Sequence, residues 1–164
     1  GITSIQNVNS TTTSTGASNV TISTGNYNSG NNTEVWEYSD GSIGRLYIPD
    51  IDINVKVFEG ETLANMDKGA AHFKHTSAFD GNVCICAHNS GSSGYFKNLK
   101  KLEIGDRIEY ETKYGNRTYV VSSMHVIADT DYSLLGYSSQ NQLTLVTCEN
   151  GVANQRYVVV AVEK

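Results

Sequence analysis

The sustained runs of alternating apolar and polar residues in this chain all lie beyond residue 40, and each is short. In Ile53 to Phe58, Val55 and Val57 flank Lys56, a two-residue period that sends successive side chains to opposite faces of an extended strand. The same reading predicts strands over Ile43 to Pro49, Asn82 to His88, Arg107 to Thr112, Arg117 to Ala128, Gln142 to Thr147 and Gln155 to Val162, all rich in β-branched or aromatic residues. Asp80-Gly81 is a turn signal, and Pro49, the single proline, closes the first strand. Two segments carry helical spacing instead. Leu63, Met66 and Ala70 mark a helix within Glu61 to Ala71, with Gly69 near its end, and apolar positions 95, 96, 99 and 102 mark a second from Tyr95 to Leu102. Many short strands separated by turns predict an all-β fold, a closed β-barrel of seven or eight strands with two short peripheral helices.

Residues Gly1 to Thr33 contain no charged side chain, are dominated by Ser, Thr, Asn and Gly, and show no sustained apolar period. They read as a linker or stalk. Composition changes at Glu34 to Tyr38, where Trp36 and Tyr38 are placed to staple the chain onto a folded body running from residue 34 to 164. With 164 residues, 38% of them hydrophobic, one domain with a single core is expected.

Charge narrows the partners. The net charge is -5 and the 12 Lys and Arg residues are scattered, which excludes the clustered basic surface that nucleic acid requires. No apolar stretch approaches the roughly 20 residues that span a bilayer, Val158 to Val162 being the longest candidate. Any membrane attachment is therefore expected through an N-terminal anchor upstream of Gly1.

Three cysteines, Cys84, Cys86 and Cys148, leave at least one thiol without an intrachain partner. Cys148 ends an apolar strand and is followed by the turn residues Glu149-Asn150-Gly151. A thiol there is held by the sheet yet reachable from solvent, as a nucleophile must be. His88 has the same placement, at the end of a strand with a polar, glycine-rich loop behind it, and an imidazole beside a thiol can take or return its proton. Arg156 follows Cys148 by eight residues, and a hairpin would return its guanidinium beside the sulfur, where it can hold a carbonyl or a developing oxyanion.

Cys, His and Arg at three strand ends of a small barrel resemble the sortase family. Thr144-Leu145-Val146-Thr147-Cys148 is similar to the family signature Thr-Leu-x-Thr-Cys, Gly44 to Pro49 to its first strand, Asn82 to His88 to the strand carrying its His, and Leu102-Glu103-Ile104-Gly105-Asp106 to its Leu-x-x-Gly-Asp turn. The resemblance implies a cysteine transpeptidase without cofactor. Cys148 would cleave an LPXTG-like sorting signal after its Thr, Arg156 would support the oxyanion, and His88 would move the proton. The acyl group would pass to an amine of a peptidoglycan precursor or of another surface protein. The resemblance also implies that the loop Asp129 to Gln140 docks the sorting peptide, with Leu134 and Leu135 walling the pocket for its Leu and Pro and Thr147 at the substrate site. A Gram-positive, extracytoplasmic location follows from the same resemblance. The absence of a long extra helix before the Cys strand favours a class D-like or class A-like member. Asn89 departs from the Arg frequent after the family's His.

Two other readings compete. Cys84, Cys86 and His88 alternate on one strand face, and with Cys148 they form a possible tetrahedral zinc set, although Cys-x-Cys on a straight strand holds the sulfurs awkwardly apart. A non-catalytic adhesion module is suggested by the polar tail and ten tyrosines, but Tyr47, Tyr110, Tyr119 and Tyr157 fall inside predicted strands. Asp129 and Asp131 make calcium possible without favouring it. Gly91-Ser92-Ser93-Gly94 lacks the Lys-Ser/Thr ending of a phosphate-binding loop.

Overall fold

The computed structural model of the chain describes residues 36 to 149 and 151 to 164, so the linker expected over residues 1 to 33 lies outside the described residues. Among the described residues eight strands form, β1 (Ser42–Ile48), β2 (Ile53–Glu59), β3 (Ala70–His72), β4 (Asn82–Cys86), β5 (Arg107–Thr112), β6 (Gly115–Ala128), β7 (Gln142–Glu149) and β8 (Val152–Glu163), and α1 (Leu63–Lys68) is an α-helix between β2 and β3. They close into a barrel in the order β1-β2-β3-β4-β7-β8-β6-β5. Closure comes from β1 against β5, where Leu46 faces Tyr110. The all-β barrel expected from the alternating runs is the fold observed.

Alternation decides which side chains fill the interior. In β2, Ile53, Val55 and Val57 are buried while Asn54 and Lys56 face solvent. β4 and β7 differ because they are buried on both faces. Val83, Ile85, Leu143 and Leu145 join the interior core. Cys86 and Val146 join a second cluster outside the barrel with Ala71, Val158 and Val160, covered by Met66, Phe73, Ile127, Leu134 and Leu135. Strands covered on both sides read as near-continuous apolar runs, which accounts for the composition of NVCIC and LTLV.

Three sequence expectations are corrected. The helix expected over Glu61 to Ala71 is only Leu63–Lys68, capped at its start by the Thr62 hydroxyl, which accepts from Asn65 N–H at 3.1 Å. It ends because Ala70 already pairs in parallel with Val57 of β2, forming a strand that the sequence reading missed. A Cβ on Gly69 would sit 2.5 Å from Lys56 O, so this junction admits only glycine. The second helix is absent, and Tyr95 to Leu102 forms turns and a 3-10 turn at Leu99–Lys101. Phe96, Leu99 and Leu102 are all buried, and their three-residue spacing suits the tighter 3-10 repeat. Finally, β4 stops at Cys86, so His88 lies just past the strand, and β8 starts at Val152 rather than Gln155. The Asp80-Gly81 turn forms as expected, with Gly81 at φ +94, and ties back to β7 through Gln142 N–H to Gly81 O at 2.9 Å.

Candidate active site

Strand register fixes the outer face where the predicted residues meet. Cys84, Thr144, Val160 and Ser123 form one row across β4, β7, β8 and β6, and Cys86, Val146, Val158 and His125 form the next. The third row holds Cys148, Arg156 and Ile127. Cys148 and Arg156 are direct cross-strand partners, and the register is interrupted immediately after Cys148. His88 comes two residues beyond Cys86, at the position that faces Cys148 when the parallel β4–β7 register is continued. The topology thus brings all three predicted catalytic residues to one strand-end edge. Below them lies an apolar floor of Cys86, Val146 and Val158.

Each side chain has a distinct environment. Cys148 is a free, exposed thiol, whereas Cys84 and Cys86 are free and buried. Burial pushes the Cys84 thiol up to about 12, and burial together with the nearby Glu61 pushes Cys86 to about 12 as well. Those two thiols stay protonated near neutral pH, and among the three cysteines Cys148 is the one whose sulfur solvent reaches. His88 is partly exposed, its Nε2 is 3.6 Å from a carboxylate oxygen of Asp67 on α1, and its carbonyl accepts from Phe96 N–H at 2.9 Å. Arg156 is half-buried, and its Nη1 donates to Ala153 O at 3.1 Å and Gln155 O at 2.9 Å. Glu149, next to Cys148, pairs with Lys100 at 2.6 Å, and Lys100 lies over the Tyr157 ring. The Lys100–Glu149 ion pair and the His88–Asp67 contact leave the edge polar above an apolar floor.

The remaining predicted positions separate. Leu134 and Leu135, in the 3-10 turn Ser133–Leu135, are half-buried and pack on the outer cluster beside the floor. Thr147 is buried, and its hydroxyl donates to Ala87 O at 2.7 Å. Asp129 and Asp131 are exposed, and a carboxylate oxygen of Asp131 accepts from Ser133 N–H at 3.0 Å. Cys84, Cys86, His88 and Cys148 do not form a ligand set, and among the described residues no three His, Cys, Asp or Glu side chains are grouped to hold a metal ion. No helix among the described residues is long and apolar enough to cross a membrane. His72 is far from this edge in role: it is buried between Glu59 and the Ser77 carbonyl.

Two contacts escaped the sequence reading. Asn89 Nδ2 donates to Cys148 O at 2.8 Å, and Asp67 approaches His88. Neither leaves a periodic signal, because each joins segments far apart in the chain. The apolar floor did leave one, since the outward positions 146, 158 and 160 break the polar half of the alternation.

A family model of the sortase domain matches residues 46–164, most of the chain. The chain belongs to the sortase family. That is a family of cysteine transpeptidases, and membership favours this reading over the adhesion module. Among curated sortases, the chain is 26% identical over 121 residues to Sortase A of Bacillus anthracis, covering 73% of this chain and 58% of that protein. It is 27% identical over 123 residues to Sortase D of Bacillus subtilis (strain 168), covering 71% and 61%. The chain thus spans about three fifths of the length of these relatives. Among solved sortases, a crystal structure of Streptococcus agalactiae Sortase C1 superimposes with a TM-score of 0.76 at 26% identity, over 83% of this chain and 73% of that one. Sortase C-1 from Streptococcus pneumoniae gives 0.74 at 25% identity, over 78% and 69%. Sequence likeness to sortases of classes A and D and structural likeness to class C place the barrel in the family without singling out a class.

Proposed function

We propose that this sortase domain is a transpeptidase that cleaves an LPXTG-like sorting signal after its Thr and joins the released acyl group to an amine. The observation that carries this reading is the direct pairing of Cys148 with Arg156 at the strand-end edge, one row above an apolar floor. In the first step the Cys148 thiolate attacks the Thr carbonyl carbon and a C–S bond forms. Arg156, once its guanidinium turns from its own backbone carbonyls, donates to the oxyanion. The peptide C–N bond then breaks, and His88 as imidazolium gives its proton to the departing amine. In the second step the incoming amine attacks the thioester, passes a proton to the now neutral His88, and the C–S bond breaks to restore the thiolate. Water is the slower alternative acceptor. No cofactor enters either step.

Leu134 and Leu135 wall the pocket for the Leu and Pro of the signal, and Thr147 serves the substrate site from beneath by holding the edge of β7. The acceptor is an amine of a peptidoglycan precursor or of another surface protein, and the domain works at the outer cell surface, tethered by a segment N-terminal to the barrel. Residues 1 to 33 act as its spacer. The test is incubation with quenched LPXTG-like peptides, with and without an added amine, followed by product analysis. Cleavage after Thr and an amine-joined product that both vanish in Cys148→Ala support the proposal, and activity unchanged by that substitution overturns it.

A further inference from the structure

The parallel β4–β7 ladder ends just short of the candidate catalytic pair. Its last backbone bond is Ala87 N–H to Val146 O, and at 3.3 Å it is long. Two carbonyls lie beyond it, Ala87 O on the His88 side and Cys148 O on the nucleophile side. In a continuing parallel ladder each would be met by a backbone N–H of the other strand. Here each is met by a side chain: Thr147 Oγ1 donates to Ala87 O at 2.7 Å, and Asn89 Nδ2 donates to Cys148 O at 2.8 Å. The first clasp joins the residue before the nucleophile to the residue before His88. The second joins the residue after His88 to the nucleophile itself.

We propose that Asn89 is a positioning residue that sets the separation of the His88 imidazole and the Cys148 sulfur by holding the Cys148 carbonyl. This rests on the transpeptidase reading above. A side-chain amide reaches farther than a backbone N–H, so it keeps the strand ends parted yet fixed, leaving room for a scissile carbonyl between the two catalytic groups. His88 is also held through its own carbonyl by Phe96 N–H, so its backbone is anchored on one side and Asn89 supplies the link to the nucleophile. The β7–β8 register shifts between Cys148 and Glu149 before Glu149 pairs with Val152, so the regular ladder of that side is broken at the nucleophile. Thr147 is fully buried and bonded under the sheet, whereas Asn89 is half-buried at the edge, where its loss leaves the core packing untouched.

The experiment compares wild type with Asn89→Ala, Asn89→Asp and Asn89→Gln. Aspartate keeps the shape without a donor, and glutamine keeps the donor on an arm one methylene longer. Peptide turnover, melting temperature and the rate of Cys148 alkylation by a small neutral reagent are measured on each. In Asn89→Ala and Asn89→Asp, kcat falls about tenfold while KM stays within about twofold, because misplacement acts on the reacting geometry rather than on peptide docking. Alkylation and melting temperature stay at wild-type values, and Asn89→Gln recovers part of the lost kcat. Wild-type kcat in both non-donor variants overturns the proposal, as does a loss that tracks melting temperature or falls on KM alone. Should those two variants not fold, Asn89→Gln decides, since its lengthened arm must lower kcat and an unchanged kcat overturns the proposal. A wild-type protein that forms no adduct at Cys148 instead removes the transpeptidase reading, which separates the two failures.

Discussion

Cys148 of β7 and Arg156 of β8 face each other as an antiparallel register pair, the last before the ladder is interrupted. Directly opposed residues of an antiparallel pair hold their Cβ atoms about 5 Å apart, so backbone pairing rather than a flexible loop sets the stem of the Arg156 side chain beside that of Cys148. In the free domain, its Nη1 is engaged by Ala153 O and Gln155 O.

Arg156→Lys tests what the guanidinium does. Lysine keeps the charge but loses the planar fork, and a lost oxyanion donor costs about a hundredfold in rate. The expected result is a fall of about that size in kcat/KM for a sorting peptide, with Cys148 alkylation and melting temperature unchanged. Steady-state kinetics on the purified variant check it.

The outer apolar cluster predicts a different kinetic signature. Leu134→Ala and Leu135→Ala shrink the wall beside the Cys86, Val146 and Val158 floor without touching the strand-end edge. Each raises KM about tenfold for a peptide carrying Leu and Pro, and kcat changes little, because such contacts serve the ground state and the transition state alike.

The buried thiols give a pH dependence with a definite sign. Burial moves Cys84 and Cys86 from 9.0 to about 12, so between those values the folded chain keeps protons that the unfolded chain has lost. Raising the pH then favours unfolding: the stabilisation is fully present below about pH 9 and is lost on the way to about pH 12. Burial also raises Tyr110 and Tyr119, which adds to the same alkaline decline. Replacing both cysteines by alanine makes the fall in urea midpoint between about pH 9 and pH 11 shallower than in wild type. In thiol titration of the folded wild type at pH 8, one sulfur reacts rapidly and two react only after denaturation.

Trp36 tests where the folded body begins. It is fully buried, edge-on to His72 at 5.9 Å and tilted against Tyr114 at 5.6 Å. Trp36→Ala removes a large core side chain and lowers stability by about 3 to 5 kcal/mol in chemical denaturation, with Cys148 alkylation of the folded fraction unchanged.

Strand alternation was legible in the sequence, and so was the grouping of Cys148, His88 and Arg156 toward one end of their strands, although His88 lies past the end of β4 and Arg156 lies inside β8. The barrel and the edge that gathers those residues follow from them. What was not legible came from contacts between distant segments. Ala70 and Ala71 continue a helical spacing, yet pairing with Val57 and Phe58 draws them into β3. Phe96, Leu99 and Leu102 fit a helix as well as a 3-10 turn, and only their common burial in the interior core separates the two. Asn89 reads as one polar residue in a polar loop until its partner, 59 positions away, is known.

Intact-mass analysis after mixing the protein with an LPXTG-like peptide, followed by proteolytic mapping of any adduct, tests the central claim most directly. The account predicts a mass increase equal to the peptide's acyl portion, located on Cys148, released by an added amine and absent from Cys148→Ala. An adduct mapped to Cys84 or Cys86, or one that survives in Cys148→Ala, contradicts it.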